Sequence, residues 1–377
     1  ELKVYDRSSE KSRLMGKEME KKDYVMDVAL KREYSRGYIA NMEAAGGSED
    51  RYLARLFGLY YTDNSRISVF GNMNNKNETR KPGSQGDWSP SNSPQGQKTT
   101  RQVGVDFNTT SKSQKIREQG NVTFAWDNTH DLTHSSQENF ASTGNIFGRS
   151  ISDSRSDNHS FNLYNNFRVS GKLGVWSDTR IDYSDRKSSS SNLSATYSAN
   201  PERWGDIRQT IDSTFAQNVS GSLHDIITNR SLYQSRSKEH AFTASETAMV
   251  WYKLPWGDRI TLDMSGKYAS SKPNESFSLN RNEYFKTGEK DLRNYYNDSR
   301  QNSYDMNASL DYEIGFPYSK WAMFIGPKFA QTYQSVKGLK YRLDELGGDW
   351  IANPELMFAT LPSNMEQLSG VIDEDVS

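Results

Sequence analysis

The chain has 377 residues, a mean hydropathy of -0.89, 34% hydrophobic residues, 12% aromatic residues and no cysteine. A net charge of -1 makes nucleic acid an unexpected partner, and the lack of Cys removes a disulfide framework and any thiolate metal site. The longest apolar runs are a handful of residues, which excludes a transmembrane helix but not a barrel; few aliphatics with many aromatics suit a wall one side chain thick that is wet inside.

Residues 1–36 differ from the rest. Leu2, Val4 and Tyr5 suggest a short strand, Arg7 to Lys22 a charged loop or frayed helix, and Tyr24 to Leu30 an apolar-rich run of the kind that sits inside a small mixed domain. Lys31 to Arg36 reads as a basic linker. A start at Glu1, without Met or signal peptide, fits an internal fragment.

From residue 37 onward the pattern is period two. Tyr38, Ala40, Met42 and Ala44 alternate along one strand; Gly46 to Asp50 makes a turn; Tyr52 to Tyr61 returns; Thr62 to Ser65 turns again before Ile67, Val69, Gly71 and Met73. Asn74 to Thr100 reads as a long loop. Val103 to Phe107 and Ile116 to Trp126 form the next pair, followed by a polar stretch to about Asn158 that reads as a second loop. Phe161 to Val169 and Leu173 to Tyr183 flank Ser170-Gly171-Lys172, and a Ser-rich loop is expected to reach His240. Ala241 to Tyr252 and Ile260 to Tyr268 flank a turn at Leu254 to Asp258, and a loop is expected over Ala269 to Ser303.

Tyr304 to Ile314, YDMNASLDYEI, is the clearest strand of all: Tyr304, Met306, Ala308, Leu310, Tyr312 and Ile314 face one way, and Asp305, Asn307, Ser309, Asp311 and Glu313 the other. A turn at Gly315 to Ser319 leads to Trp321, Met323 and Ile325, and the chain is expected to be irregular after Tyr333.

The pattern predicts an all-β chain: an antiparallel up-and-down transmembrane β-barrel, partial, of about eleven strands of eight to twelve residues, after a short N-terminal remnant of another domain. Connections that alternate short and long fit an outer-membrane barrel, with turns at Asp63, Lys112, Gly171, Trp256 and Pro317 inside, and loops containing Trp88, His134, Trp204, Tyr295 and Trp350 outside. Aromatics cluster at strand ends: Tyr60, Tyr61, Trp251, Tyr252, Trp256, Phe316, Tyr318 and Trp321 near short turns, and Trp126, Tyr183, Tyr268 and Tyr304 near long loops, as two girdles would. A secreted β-sandwich would also alternate, but with shorter connections and without charges along a whole face.

No catalytic dyad, nucleophile elbow or phosphate loop is present, so no enzyme activity and no cofactor are expected. His130 and His134 form an H-x-x-x-H pair without an identifiable third ligand, so no metal is expected. The loop aromatics Trp88, Trp204, Tyr284, Phe285, Tyr295, Tyr296 and Trp350 suit stacking on a ligand or packing of the loops on themselves. Arg117, Arg168, Arg180, Asp263, Lys267, Asp305 and Asp311 sit mid-strand on the polar face and are expected to line the lumen, against substrate or a plug.

VMDVALKRE, then RGYIANMEAAGGSEDRY, then TDNSRISVFGNMNN resembles the plug-to-barrel junction of TonB-dependent outer-membrane receptors of the type common in Bacteroidota. Gln102 to Phe107 is similar to the next barrel strand of that family, and Leu361-Pro362-Ser363 before Asp373 to its late-loop pattern. The resemblance implies barrels of about twenty-two strands. Residues 1–36 would then be the end of the plug and linker, and 37–377 the N-terminal half of the barrel. It further implies a Gram-negative outer-membrane location, outer-membrane lipid around the wall, and a TonB-type energy-coupling protein acting through an upstream plug. The activity implied is energy-coupled uptake of a small or oligomeric solute that is scarce or too large for porins. A surface adhesin barrel that transports nothing shares the same wall.

Overall fold

The structure is a computed structural model that describes residues 2–7, 23–28, 36–78, 81–82, 96–140, 142, 144–315 and 322–376. The expected loop around Trp88 and the expected turn at Phe316 to Trp321 lie outside the described residues.

Strands β1 (Leu2–Arg7) and β2 (Asp23–Val28) pair antiparallel as a two-stranded sheet. A second, 13-stranded antiparallel sheet contains the rest. Its strands are β3 (Gly37–Gly46), β4 (Tyr52–Tyr61), β5 (Ser65–Asn74), β6 (Gln97–Thr110), β7 (Ile116–Asn139), β8 (Ile146–Val169), β9 (Leu173–Tyr197), β10 (Ile227–Lys253), β11 (Arg259–Tyr284), β12 (Lys290–Gly315), β13 (Ala322–Ile325), β14 (Lys328–Arg342) and β15 (Ile372–Val376). Every strand from β3 to β12 pairs with its sequence neighbours, so the sheet is a strict meander, with β14 and then β15 completing the order. A sandwich would divide the strands between two sheets. β13 and β14 both pair with β12 and continue one line, broken at Gly326-Pro327. Pro327 has no N–H to give the ladder, and a side chain at position 326 would run into the Leu310 carbonyl.

The register keeps two chemically distinct faces across the whole sheet. One row of directly opposed residues runs Tyr38, Tyr60, Ile67, Phe107, Gly120, Asn165, Thr179, Glu246, Gly266, Met306 and Gln331. Rows two residues away on the same face carry Leu163, Ile181, Ala244, Tyr268 and Tyr304, and many of the large apolar side chains here are exposed, such as Met42, Val69, Met264 and Leu310. In each of β7 to β12 this apolar stretch covers only nine to eleven residues at one end: Ile116 to Trp126, Phe161 to Val169, Leu173 to Tyr183, Phe242 to Tyr252, Ile260 to Tyr268 and Tyr304 to Ile314. That is the length of a membrane-spanning strand.

The row also climbs. It passes one residue from the turn end of β4 (Tyr60 against Tyr61), four from that of β7 (Gly120 against Ile116), and nine from that of β12 (Met306 against Gly315). The stagger is thus close to one residue per strand. With about 3.3 Å per residue and about 4.8 Å between strands, this tilts the strands by roughly 35° to the line of their turns. Barrel strands tilt by this amount.

Strand length is where the sequence reading needs correction. β7 to β12 are 24 to 27 residues long, not eight to twelve. The expected loops over 127–158 and 269–303 are hairpins of continuous strand, closed by short connections after Asn139 and Tyr284. His134, Tyr284, Tyr295 and Tyr296 are therefore strand residues. The Ser-rich stretch from Ser184 is paired on both sides as far as Tyr197. Both faces of these extensions are polar, so they carry no hydrophobic alternation to betray them. The chain after Tyr333 is ordered too, as the rest of β14, short helical turns and β15.

Two excursions pack on the far ends of the strands. Residues 198–226 contain helix α1 (Ile207–Thr214), started by a capping box in which Asp206 and Gln209 each accept the other's backbone N–H. It buries Ile211 and Leu223 against Ala195, Tyr197 and Ile227. Residues 343–371 bury Leu343, Trp350, Leu368 and Val371 against Tyr296.

Candidate functional site

Residues on the polar face from six consecutive strands line a cleft of about 500 Å³. Lys98 of β6 pairs with Asp127 of β7 at 3.2 Å, and Thr100 donates to the same carboxylate at 2.9 Å. Asn158, Arg186, Glu239 and Asn274 continue the row of Asp127, and Arg186 donates to the Ser156 hydroxyl one row over at 3.2 Å. The cleft thus offers both signs of charge and many hydroxyls and amides. Such a lining recognises a polar, neutral or zwitterionic solute better than an apolar one.

Toward the turn ends, the face carries the seven mid-strand residues singled out by sequence, all of them on it. Arg117, Arg168 and Asp263 fall on one row, with Trp176 and Met249 between the last two. Arg180, Lys267 and Asp305 fall on another, joined through Ser245. Asp311 stands opposite Thr261. Arg180 reaches Asp178 at 3.3 Å and lies over the Tyr164 ring, and Arg168 donates to Asn166 at 2.8 Å. Asn166, almost fully buried, donates to the Ser177 carbonyl at 3.1 Å. These groups already satisfy one another, so this part of the face is a built wall and the cleft above it is the open site.

Apolar packing also occurs on the polar face at two places. Phe57, Leu59 and Phe70 form a buried cluster, and the Phe70 ring lies so close over Gly104 that a side chain there would collide with it. Trp251 lies over Gly174 in the same way. Trp251 and Tyr61 therefore pack on the polar face, while Tyr60, Tyr252 and Trp256 remain exposed at the turn ends. At the other margin of the apolar stretch, rings meet in pairs: Phe124 with Phe161 at 4.8 Å, Phe242 with Tyr268 at 6.2 Å, and Tyr304 with Tyr333 at 5.2 Å.

The loop aromatics do not form one platform. Trp204 packs in the excursion over β8 and β9, with the Arg203 guanidinium 3.8 Å above its ring. Tyr296 and Trp350 are buried together in the second excursion. Burial, then the nearby Asp298 and Glu275 carboxylates, push the Tyr296 phenol up to about 12. Tyr295 holds Lys340 over its ring at 4.3 Å, Tyr284 lies exposed at the end of β11, and Phe285 meets His224 edge-on. Trp88 lies outside the described residues. His130 and His134 are four residues apart on a strand, so about 13 Å separates them and they cannot share one ion. His130 is instead 3.0 Å from Asp153.

Sequence reasoning did not single out Lys98, Asp127, Arg186 or Glu239. The signal available for Lys98 was that the alternation of Val103 and Val105 extends back through Thr99 and Arg101, which puts Lys98, Thr100 and Gln102 on the wet face. No protein-family model matches this chain, and no curated protein matches it.

Proposed function

We propose that the chain is part of an outer-membrane β-barrel of the TonB-dependent receptor type, taking up a polar solute across the outer membrane of a Gram-negative cell by energy coupling. The observation that carries the reading is the apolar stretch of nine to eleven residues. It lies at the same end of every long strand, on one face, across a sheet whose register tilts the strands by about 35°. The sequence order at 25–75 that resembles a plug-to-barrel junction supports the same assignment. The polar face then lines the lumen, the turns after β4, β6, β8 and β10 face the periplasm, and the extended strands with their two excursions stand outside the cell. The solute is held by hydrogen bonds and paired charges in the cleft around Lys98, Asp127, Arg186 and Glu239.

Single cysteines test the topology, since the chain has none of its own. Ser222→Cys and Thr287→Cys on whole cells react with an impermeant maleimide, and Ser170→Cys does not react until the cells are opened. Labelling of Ser170→Cys alone inverts the orientation, and equal labelling of all three removes the membrane. Solute uptake that persists when the proton-motive force is collapsed would remove the energy coupling, and surface binding with no uptake at all would turn the reading toward a barrel that binds without transporting.

A further inference from the structure

On the face opposite the lumen cleft, just beyond the aromatic margin of the apolar stretch, lies a cleft of about 580 Å³ between β8 to β11 and the 343–371 excursion. Two adjacent rows build its floor. In the first, Lys187 and Lys238 are direct partners, flanked by Asp157 and Glu275. In the second, Arg236 and Arg155 stand on either side of Ser189. Arg155 reaches Asp153 at 3.4 Å. Among the described residues no carboxylate lies within ion-pair distance of Lys187, Arg236 or Lys238. Ala359 of the excursion closes one side.

Two lysines directly opposite on paired strands repel each other and cost stability. Asp157 opposite Lys187 and Glu275 opposite Lys238 offset part of that repulsion, and Phe277 stands opposite Arg236 as the one aromatic of the lining. The arrangement becomes favourable once an anion sits between the two ammonium groups, with the Arg236 fork adding paired N–H donors. We propose that this cleft binds a phosphate-type oxyanion, bridged by Lys187 and Lys238 and held by Arg236 and the Ser189 hydroxyl.

The same chemistry is offered by a soluble phosphate ester and by a phosphorylated glycolipid headgroup. Position favours the headgroup: Lys187 is four residues beyond Tyr183, about 13 Å along the strand from the last aromatic of the apolar stretch. Only this choice of source rests on the outer-membrane reading; the anion site does not.

The test uses the full chain in neutral detergent. Inorganic pyrophosphate is titrated by calorimetry, and vesicles of phosphatidylcholine with or without a bis-phosphorylated glycolipid are compared in flotation. The proposal expects binding of at least one phosphate probe, weakened at least tenfold in Lys187→Gln/Lys238→Gln and in Arg236→Gln, and unchanged in Lys172→Gln at the far turn. Binding to glycolipid vesicles assigns the site to a headgroup, and binding to pyrophosphate without any vesicle preference assigns it to a soluble ester. A second readout is thermal: added pyrophosphate raises the melting temperature of the parent and of Lys172→Gln, and leaves that of Lys187→Gln/Lys238→Gln unchanged. No binding of either probe overturns the proposal, as does binding that the double variant leaves intact. If the anion site holds but glycolipid vesicles are ignored, the headgroup source fails while the site stands.

Discussion

The two halves of a single strand differ more than any two strands do. In β9, Leu173 to Tyr183 has one apolar face and one polar face packed as a wall of paired side chains; Ser184 to Tyr197 is polar on nearly every side chain until the excursion covers Ala195 and Tyr197. Yet the ladder to β10 runs on through both halves. Hydrogen bonding is therefore not what distinguishes them; the composition of the faces is. In the first half one face needs an apolar environment, so a slip of one residue would turn every apolar side chain the wrong way. In the second half a slip would exchange serine for serine, and the hydroxyl pairs Ser188–Ser237 and Ser190–Ser235, at 2.7 and 2.8 Å, are replaceable. The apolar half sets the alignment and the polar half inherits it.

The comparison breaks most visibly where the polar half acquires a core of its own. Trp350→Ala removes the largest side chain in the second excursion and should cost about 3–5 kcal/mol there. Limited proteolysis should then cut within 343–371 while the β7–β8 ladder stays protected; if both halves open together, they are one cooperative unit and the distinction fails. In the apolar half, Leu310→Arg should cost about 2–4 kcal/mol of stability in lipid, and Asn307→Arg on the other face far less. Urea titration of the chain folded in phosphatidylcholine vesicles measures both, and equal values would mean the faces are assigned wrongly.

A smaller effect concerns the one carboxylate inside the apolar stretch of β10. Glu246 accepts hydrogen bonds from Ser177 at 2.6 Å and from Thr179 at 2.5 Å, beside Asn165 and Gly266. Glu246→Leu should stabilise the lipid-folded chain by on the order of 1 kcal/mol, since a carboxylate facing hydrocarbon is costly even when hydrogen-bonded. A loss of stability would show that this patch does not face lipid.

The smallest effect is the pH response of Tyr296. Its phenol is raised from about 10 when unfolded to about 12, so the folded state holds a proton that the unfolded state gives up in between. The excursion's stability is full below pH 10 and declines as pH rises from 10 toward 12. Proteolysis of 343–371 across that range should accelerate, and Tyr296→Phe should remove the part of the change owed to this residue.

The same contrast decides what the sequence discloses. Tyr304 to Ile314 is legible because its two faces differ in polarity, and the strands with such a stretch follow from alternation alone, whereas the expected count of about eleven falls short of the 13 strands of the sheet. Ser188 to Ser191 is not legible, because a strand wet on both faces has the composition of a loop. The seven mid-strand charges could be placed on one face by counting in twos. The cleft of Lys98, Asp127, Arg186 and Glu239 could not, since Arg186 and Glu239 lie where no alternation marks the strand. Trp204, Tyr296 and Trp350 show a further limit: an aromatic among polar residues has the same sequence signature whether it waits for a ligand or holds a lobe together, and here burial selects the second.

Among the described residues, each strand from β4 to β11 pairs only with the strands before and after it in the chain, and β12 pairs with β11, β13 and β14. Mechanically the sheet is then a zip fastener with a single slider. Tension applied at one end detaches the edge hairpin first and must travel through the others in order, because no later strand clasps an earlier one. Releasing β7 and β8 together frees Ile116–Val169, a length of roughly 180 Å when extended. Assembly can proceed by the same small steps in reverse: the six-residue connection from Asn139 to Ile146 and the five-residue one from Tyr284 to Lys290 close hairpins locally, whereas the pairing of β9 with β10 waits on a 29-residue detour.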